Sequence, residues 1–283
     1  MLKKADSQSW FLTQFGDENQ QEGRSVTETK DGGFVISGHT YSNSKNGDVW
    51  LVKTDPKGNI DWSKTFGGEG DDHAYSIQLT SDGGYVIAGF SEALAEKWSD
   101  AWVIKTDSKG LVEWNRTYGG FRWDKAHDIQ ETKDSGYIIT GYTFSHGNGN
   151  ADIWLIKTDK DGYPIWSKTF GGPDWDYGYS VKETRDGGYI ITGFTEGEDK
   201  ESSRIWLVKT NVFGEEMWSH TFGGRQRNEG RSIIETEDGG YILAGTTQNF
   251  SPNYEDVIII RTNEEGKSLW EKTFGGQSWD RSS

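Results

Sequence analysis

At 283 residues, with a formal net charge of −15 and no cysteine, the chain excludes several functions at once. Its acidity argues against phosphate backbones and anionic membranes as partners, because those select basic patches. Without cysteine there are no disulfides, no thiol catalysis and no thiolate metal site.

Only 32% of residues fall in the broad hydrophobic set, yet 14% are aromatic and Trp occurs 14 times. Such a chain builds its core from a few large rings rather than from many aliphatic side chains. Residues 1–9 are polar and aperiodic, and the basic start Met1-Leu2-Lys3-Lys4 has no apolar segment behind it, so no signal peptide is read. No apolar run approaches the roughly 18 residues of a membrane span.

From residue 31 the chain repeats itself. Asp31-Gly32-Gly33-Phe34-Val35-Ile36-Ser37-Gly38 returns at Asp82, Asp134, Asp186 and Asp238, at intervals of 51, 52, 52 and 52 residues. A fixed period in this range marks a propeller or a solenoid. Within the second unit, His73 to Thr80 reads as a strand and Tyr85 to Phe90 as a second, fully buried one. Asp100 to Thr106 is a third and Val112 to Tyr118 a fourth, the content of one propeller blade. The expected fold is all-β, a single five-bladed β-propeller of four-stranded repeats about 52 residues long. The blades fall near 16–66, 67–118, 119–170, 171–222 and 223–274, with partial repeats at 10–15 and 275–283. The fourth-strand segment occurs at both ends. The C-terminal copy, Leu269 to Phe274, should complete the last blade because its hairpin is local. Phe11 to Phe15 would then cover an edge.

Two of the connections are constant. The pattern Thr-x-Asp-x-Gly holds in all five first hairpins, and Ser135 stands where the other units have the first Gly. The second Gly never changes, so it is expected to carry the positive φ, with the Asp capping the turn. The third-to-fourth turn, Asp55-Pro56-Lys57-Gly58 and its copies, reads as a type I turn followed by a left-handed Gly. The second-to-third loop and the blade-to-blade loop differ between units. In an up-and-down blade they share one face of the disc, which is therefore the expected binding face.

Together these residues resemble a propeller-type repeat common in secreted and cell-surface proteins of bacteria and archaea, over residues 11–279. The resemblance implies a secreted or surface location and no particular activity. The turn is also similar to the start of the Asp-box of sialidases. Thr54-Asp55-Pro56-Lys57-Gly58 with Trp62 is similar to the docking motif of quinoprotein propellers, one residue short.

Nine Trp residues occupy repeat positions and are expected between blades: Trp50, Trp102, Trp154 and Trp206 on third strands, and Trp62, Trp114, Trp166, Trp218 and Trp270 on fourth strands. Trp98, Trp123, Trp175 and Trp279 fall outside every core register, in the variable loops. An exposed Trp beside carboxylates suits sugar recognition, with the ring stacking and the acids taking hydroxyls. The candidate ligand-binding residues are Trp98, Arg122, Trp123, Asp124, Trp175, Asp176 and Tyr177. Asp72, Asp124, Asp176 and Asn228 recur in register, which equally fits a structural role. Glu28, Glu131, Glu183 and Glu235 would ring one end of the channel.

No catalytic set, zinc cluster or phosphate loop is evident, so no cofactor is expected, and calcium alone is left open. Asp128, which replaces a Ser found in every other unit, is the one polar departure near His127. The expected function is a non-catalytic, lectin-like binding module, monomeric, taking a glycan or a surface protein. A structural adhesion propeller is the alternative, and a glycan-active enzyme the third.

Overall fold

A computed structural model describes residues 13–42, 45–95, 98–196, 202–249 and 255–276. It contains five four-stranded antiparallel sheets and no helix among those residues. The first sheet is β1 (Gln21–Glu28), β2 (Phe34–Thr40), β3 (Asp48–Thr54) and β4 (Ile60–Phe66), and the second is β5 (Asp72–Leu79), β6 (Tyr85–Ser91), β7 (Asp100–Thr106) and β8 (Val112–Tyr118). The third is β9 (Asp124–Glu131), β10 (Tyr137–Thr143), β11 (Asp152–Thr158) and β12 (Pro164–Phe170). The fourth is β13 (Asp176–Glu183), β14 (Tyr189–Glu196), β15 (Ser203–Thr210) and β16 (Glu216–Phe222), and the fifth β17 (Asn228–Glu235), β18 (Tyr241–Thr247), β19 (Asp256–Thr262) and β20 (Ser268–Phe274). Each sheet pairs its strands in chain order, and the first strands β1, β5, β9, β13 and β17 touch one another in turn along the inner wall. This is the architecture of a five-bladed β-propeller. Strand β20 completes the last sheet by its local hairpin with β19. Residues 13–16 form no strand, while Phe11, Leu12 and most of the partial repeat at 275–283, including Trp279, lie outside the described residues.

The core lies in the seams between blades. Trp62, Trp114, Trp166 and Trp218 pack their rings on Tyr85, Tyr137, Tyr189 and Tyr241 of the following blade, at centroid distances of 5.6–6.2 Å. Ile190, Ile205, Leu207 and Phe222 of blade four close against Ile233, Tyr241, Leu243, Ile258 and Ile260 of blade five. Burying one such aliphatic chain stabilises by about 1.5–3 kcal/mol. Trp270 differs from its four counterparts and is 41% exposed. Among the described residues no seam like the other four joins blade five to blade one.

The tight-turn face is held by buried charge. Lys53, Lys105, Lys157 and Lys209 are nearly solvent-free, each in an ion pair with the turn aspartate, Asp31, Asp82, Asp134 or Asp186. Each ammonium also donates to a Thr carbonyl at 2.7–3.1 Å. Arg261 does the same work in blade five with Asp238. The aspartate caps the turn as expected, accepting from the second Gly amide at 2.9–3.1 Å where Asp31, Asp82, Asp134 and Asp186 stand.

The glycine expectation is corrected. The positive φ falls on the first position, Gly32, Gly83, Ser135, Gly187 and Gly239, and not on the invariant second Gly. A Cβ on the second Gly would run into the Thr carbonyl and the lysine amine of β3 or its counterpart. The close approach of the Thr carbonyl, with the buried cation beside it, and not the backbone angle, keeps that position Gly.

The four glutamates do not form one ring. Glu131, Glu183 and Glu235 accept the turn amides of Ser81, Lys133 and Arg185 on the preceding blade at 2.7–3.0 Å. Where Leu79 interrupts the series, Lys30 instead reaches the carbonyl of Ser81.

Candidate functional site

The two variable connections meet on one face. The amides of Asp72, Asp124 and Asp176, each at the start of a blade, donate to Gly47, Ser99 and Ala151 of the previous blade's second-to-third loop. Adjacent blades are therefore stitched at the loop face, and side chains from both loops are brought side by side.

Trp98 of one such loop packs on Trp123 of the next blade's entry, 4.6 Å between centroids. Trp123 meets Phe144 at 5.9 Å, Phe144 meets Trp175 at 5.3 Å, and Trp175 meets Tyr177 at 5.9 Å. Trp123 and Trp175 thus flank one residue that the sequence did not single out, Phe144, and Trp98 joins the group through Trp123. They stay 43%, 43% and 41% exposed for Trp98, Trp123 and Trp175, and the neighbouring Phe121 is 78% exposed. Arg122 is exposed beside them, its backbone amide held by the Ser145 hydroxyl at 3.1 Å.

The two predicted carboxylates lie beneath this surface. Asp124 is fully buried and accepts from the Gly120 amide at 3.0 Å, the Ser145 hydroxyl at 2.6 Å and the Thr143 hydroxyl. Asp176 accepts from the Gly172 amide at 2.8 Å, and burial raises its pKa above the ordinary carboxylate value. Both carboxylates set the shape of their loops, and neither faces solvent. Asn228 does the same with Thr247 and Ser203.

Below the tryptophans runs a feature that the sequence reading missed. One residue per inner strand is extruded in a β-bulge: Arg24, Tyr75, His127, Tyr179 and Arg231. A bulge adds an unpaired residue and re-aims its side chain. These five step from blade to blade, with Arg24 over Tyr75 at 5.9 Å and Tyr75 on His127 at 5.2 Å. His127 lies on Tyr179 at 4.9 Å, and Arg231 over Tyr179 at 4.1 Å. Tyr142 stacks on Tyr177 at 4.0 Å and touches Phe144, so the ladder and the tryptophan group are continuous. The last Gly of the repeat motif carried the signal. A Cβ on Gly38, Gly89, Gly141, Gly193 or Gly245 would strike the carbonyl of Glu22, His73, Lys125, Tyr177 or Glu229, beside the bulge.

Burial governs the titration of this region. It holds His127 down to about 4, and it does the same for His73, where stacking on His39 at 3.9 Å adds to the effect. Burial pushes the Tyr75 phenol up to about 12 and lowers the pKa of Lys125, whose ammonium stands 3.5 Å from the Phe90 ring centroid. Asp128 receives the hydroxyls of Ser76 and Ser180 at 2.9 and 3.1 Å, the Val181 amide at 3.0 Å and the Lys182 ammonium at 3.1 Å. It ties blade three to both neighbours. Among the described residues no three His, Asp or Glu side chains converge as a metal would require. A cavity of about 320 Å³ lined by Phe66, Leu94, Trp102, Ile104 and Val112 lies between blades one and two and contains no titratable side chain.

No family model matches the chain. Two crystal structures of proteins of unknown function share its fold. One is from Bacteroides caccae, with TM-score 0.57, 14% identity, and coverage of 90% of this chain and 82% of that one. The other, from Dyadobacter fermentans, has TM-score 0.58, 13% identity and coverage of 94% and 85%. A stretch covering 52% of this chain is 19% identical to the regulatory protein FlaEY of Caulobacter vibrioides, and it spans only 18% of that protein's length. The likeness is thus one of architecture, to propeller-type repeats of uncharacterised bacterial proteins.

Proposed function

We propose that the loop face is a non-catalytic, lectin-like surface that binds carbohydrate. The observation that carries this reading is that Trp98, Trp123 and Trp175, from three separate connections, form one half-exposed row, Trp98 on Trp123 and Trp123 joined to Trp175 through Phe144. Clustered exposed rings are costly in water unless something covers them. A sugar ring offers apolar C–H faces for Trp123 and Trp175, while the exposed Arg122 supplies donors to its hydroxyls. Asp124 and Asp176 act indirectly, by fixing the loops that present the rings. Each stacked sugar contributes on the order of 1 kcal/mol beyond area burial, so a polymer spanning several blades gains through avidity. Such a surface suits a protein displayed outside the cell.

The test is a broad glycan array followed by retention on a column of the best polysaccharide. Trp123→Ala and Trp175→Ala should each reduce retention at least severalfold while the protein stays folded. Parental retention by both variants would refute the reading. If the array stays blank while a surface protein is captured through the same tryptophans, the adhesion alternative takes its place.

A further inference from the structure

The four internal seams are built to one pattern, and the two end faces of the array carry its separated halves. On its outgoing side, blade four buries Ile190, Ile205, Leu207 and Phe222. The same register in blade five is Ile242, Val257, Ile259 and Phe274, and all four are partly or fully exposed, together with Trp270. On the incoming side, blade two buries Ile77, Ile87 and Trp102, whereas the matching Val26 of blade one is 61% exposed and Ile36 and Trp50 are only partly covered. The polar lock is split in the same way. In three seams a glutamate takes a turn amide of the preceding blade. Glu28 is exposed at one end, and the matching amide, that of Glu237, stands at the other.

We propose that the outgoing face of blade five seats the incoming face of blade one of a second copy, so that the chain associates head to tail. Continuity with the internal seams identifies the occupant. Trp270 would receive the face that Trp218 finds in blade five, and Glu28 would accept the amide of Glu237. Such a junction also brings together Arg24 with its partner Glu22 and Arg231 with its partner Glu229, a quartet with no net charge. A heterologous contact of this kind builds rings or open chains rather than two-fold dimers. It replaces the monomer expected from sequence and would multiply the loop-face sites.

Sedimentation velocity over a range of concentrations tests it. The parent mass should rise with concentration. Trp270→Asp and Val26→Asp should each abolish every species above the monomer, because each disables one face. Mixed together they should form one-to-one dimers and nothing larger, since each keeps one working face. Both positions are exposed, and circular dichroism checks that the variants are folded. As a second arm, Glu28→Cys and Glu237→Cys, made separately in this cysteine-free chain and mixed, should be joined by a short bismaleimide into a heterodimer. A parent that stays monomeric at every concentration overturns the proposal. So does a mixture of the two aspartate variants that remains monomeric, or a chain carrying both cysteines that cross-links only within a monomer.

Discussion

The two faces of the blade array are made by the same strands, yet they are held in opposite ways. On the tight-turn face one arrangement is written five times: a buried cation, a turn aspartate and a Thr carbonyl, with Lys53, Lys105, Lys157, Lys209 or Arg261 at the centre. On the loop face the constant part in blades two to five is an Asp or Asn under the surface, with Gln21 in blade one, and everything above it changes from blade to blade. Identical chemistry in every blade is what a repeating fold needs to close its seams. Chemistry that differs at equivalent positions, such as Arg, Tyr, His, Tyr and Arg at the bulges, is not required by the fold. It is therefore available for selectivity.

The comparison breaks most visibly at the turn face. Trp114→Ala removes a ring that packs on Tyr137 and should cost about 3–5 kcal/mol in chemical denaturation. Lys105→Met, which takes the donor from the Thr106 carbonyl and the cation from the half-exposed Asp82 and Glu113, should cost about 1–3 kcal/mol. On the loop face Trp123→Ala should cost only about 1 kcal/mol. Equal costs on both faces would show that the loop tryptophans are packing.

Acid titration separates the faces by pH. On the turn face, Asp31 is held at about 2 by the Thr29 hydroxyl and then by Lys53. Asp82 and Asp186 reach about 2 although burial opposes their ionisation, because the lysine (Lys105 or Lys209), the Thr80 or Thr184 hydroxyl and the Gly84 or Gly188 amide together outweigh it. A depressed carboxylate gives stability that is present above the unfolded value, near 3.8, and is lost as pH falls through 2. His73 and His127 are depressed bases, so the unfolded chain takes their protons first, and stability falls as pH drops from 6.5 towards 4. Denaturation midpoints should therefore decline in two stages, and His127→Phe should flatten the upper stage alone. A single decline centred below pH 4 would contradict this division.

The smallest effect is expected at Ser135, the one non-Gly residue at positive φ among those described. Ser135→Gly should stabilise by about 0.5–1 kcal/mol by removing a left-handed strain, partly offset by unfolded-chain entropy. Thermal melting of the two proteins side by side checks the sign.

Much of this was legible in the sequence because a repeat is its own alignment. The period placed the strands, the constant turns on one face and the variable loops on the other, and Trp98, Trp123 and Trp175 proved to be neighbours. Three things were hidden. The reason for the second Gly is one, because nothing local announces a Thr carbonyl and a buried cation arriving from a strand some 20 residues on. Asp124 and Asp176 were grouped with Trp123 and Trp175 by adjacency, but successive strand residues point to opposite faces. The aromatic ladder depends on bulges, which shift the alternation by one and are visible only as a Gly on the partner strand.

Asp128 has a consequence for how the molecule comes apart. In an array of units that touch only their neighbours, stability is a sum of unit and junction terms, and opening starts at the weakest junction. Asp128 bridges two junctions at once through hydrogen bonds, holding Ser76 on one side and Ser180 and Lys182 on the other. Blades two to four thus behave as a clamped middle, with one outer blade on either flank attached through a single junction. Amide exchange in such a chain should run inward from both ends and slow on reaching blades two and four, so that the middle three blades outlast partial unfolding as one cooperative unit.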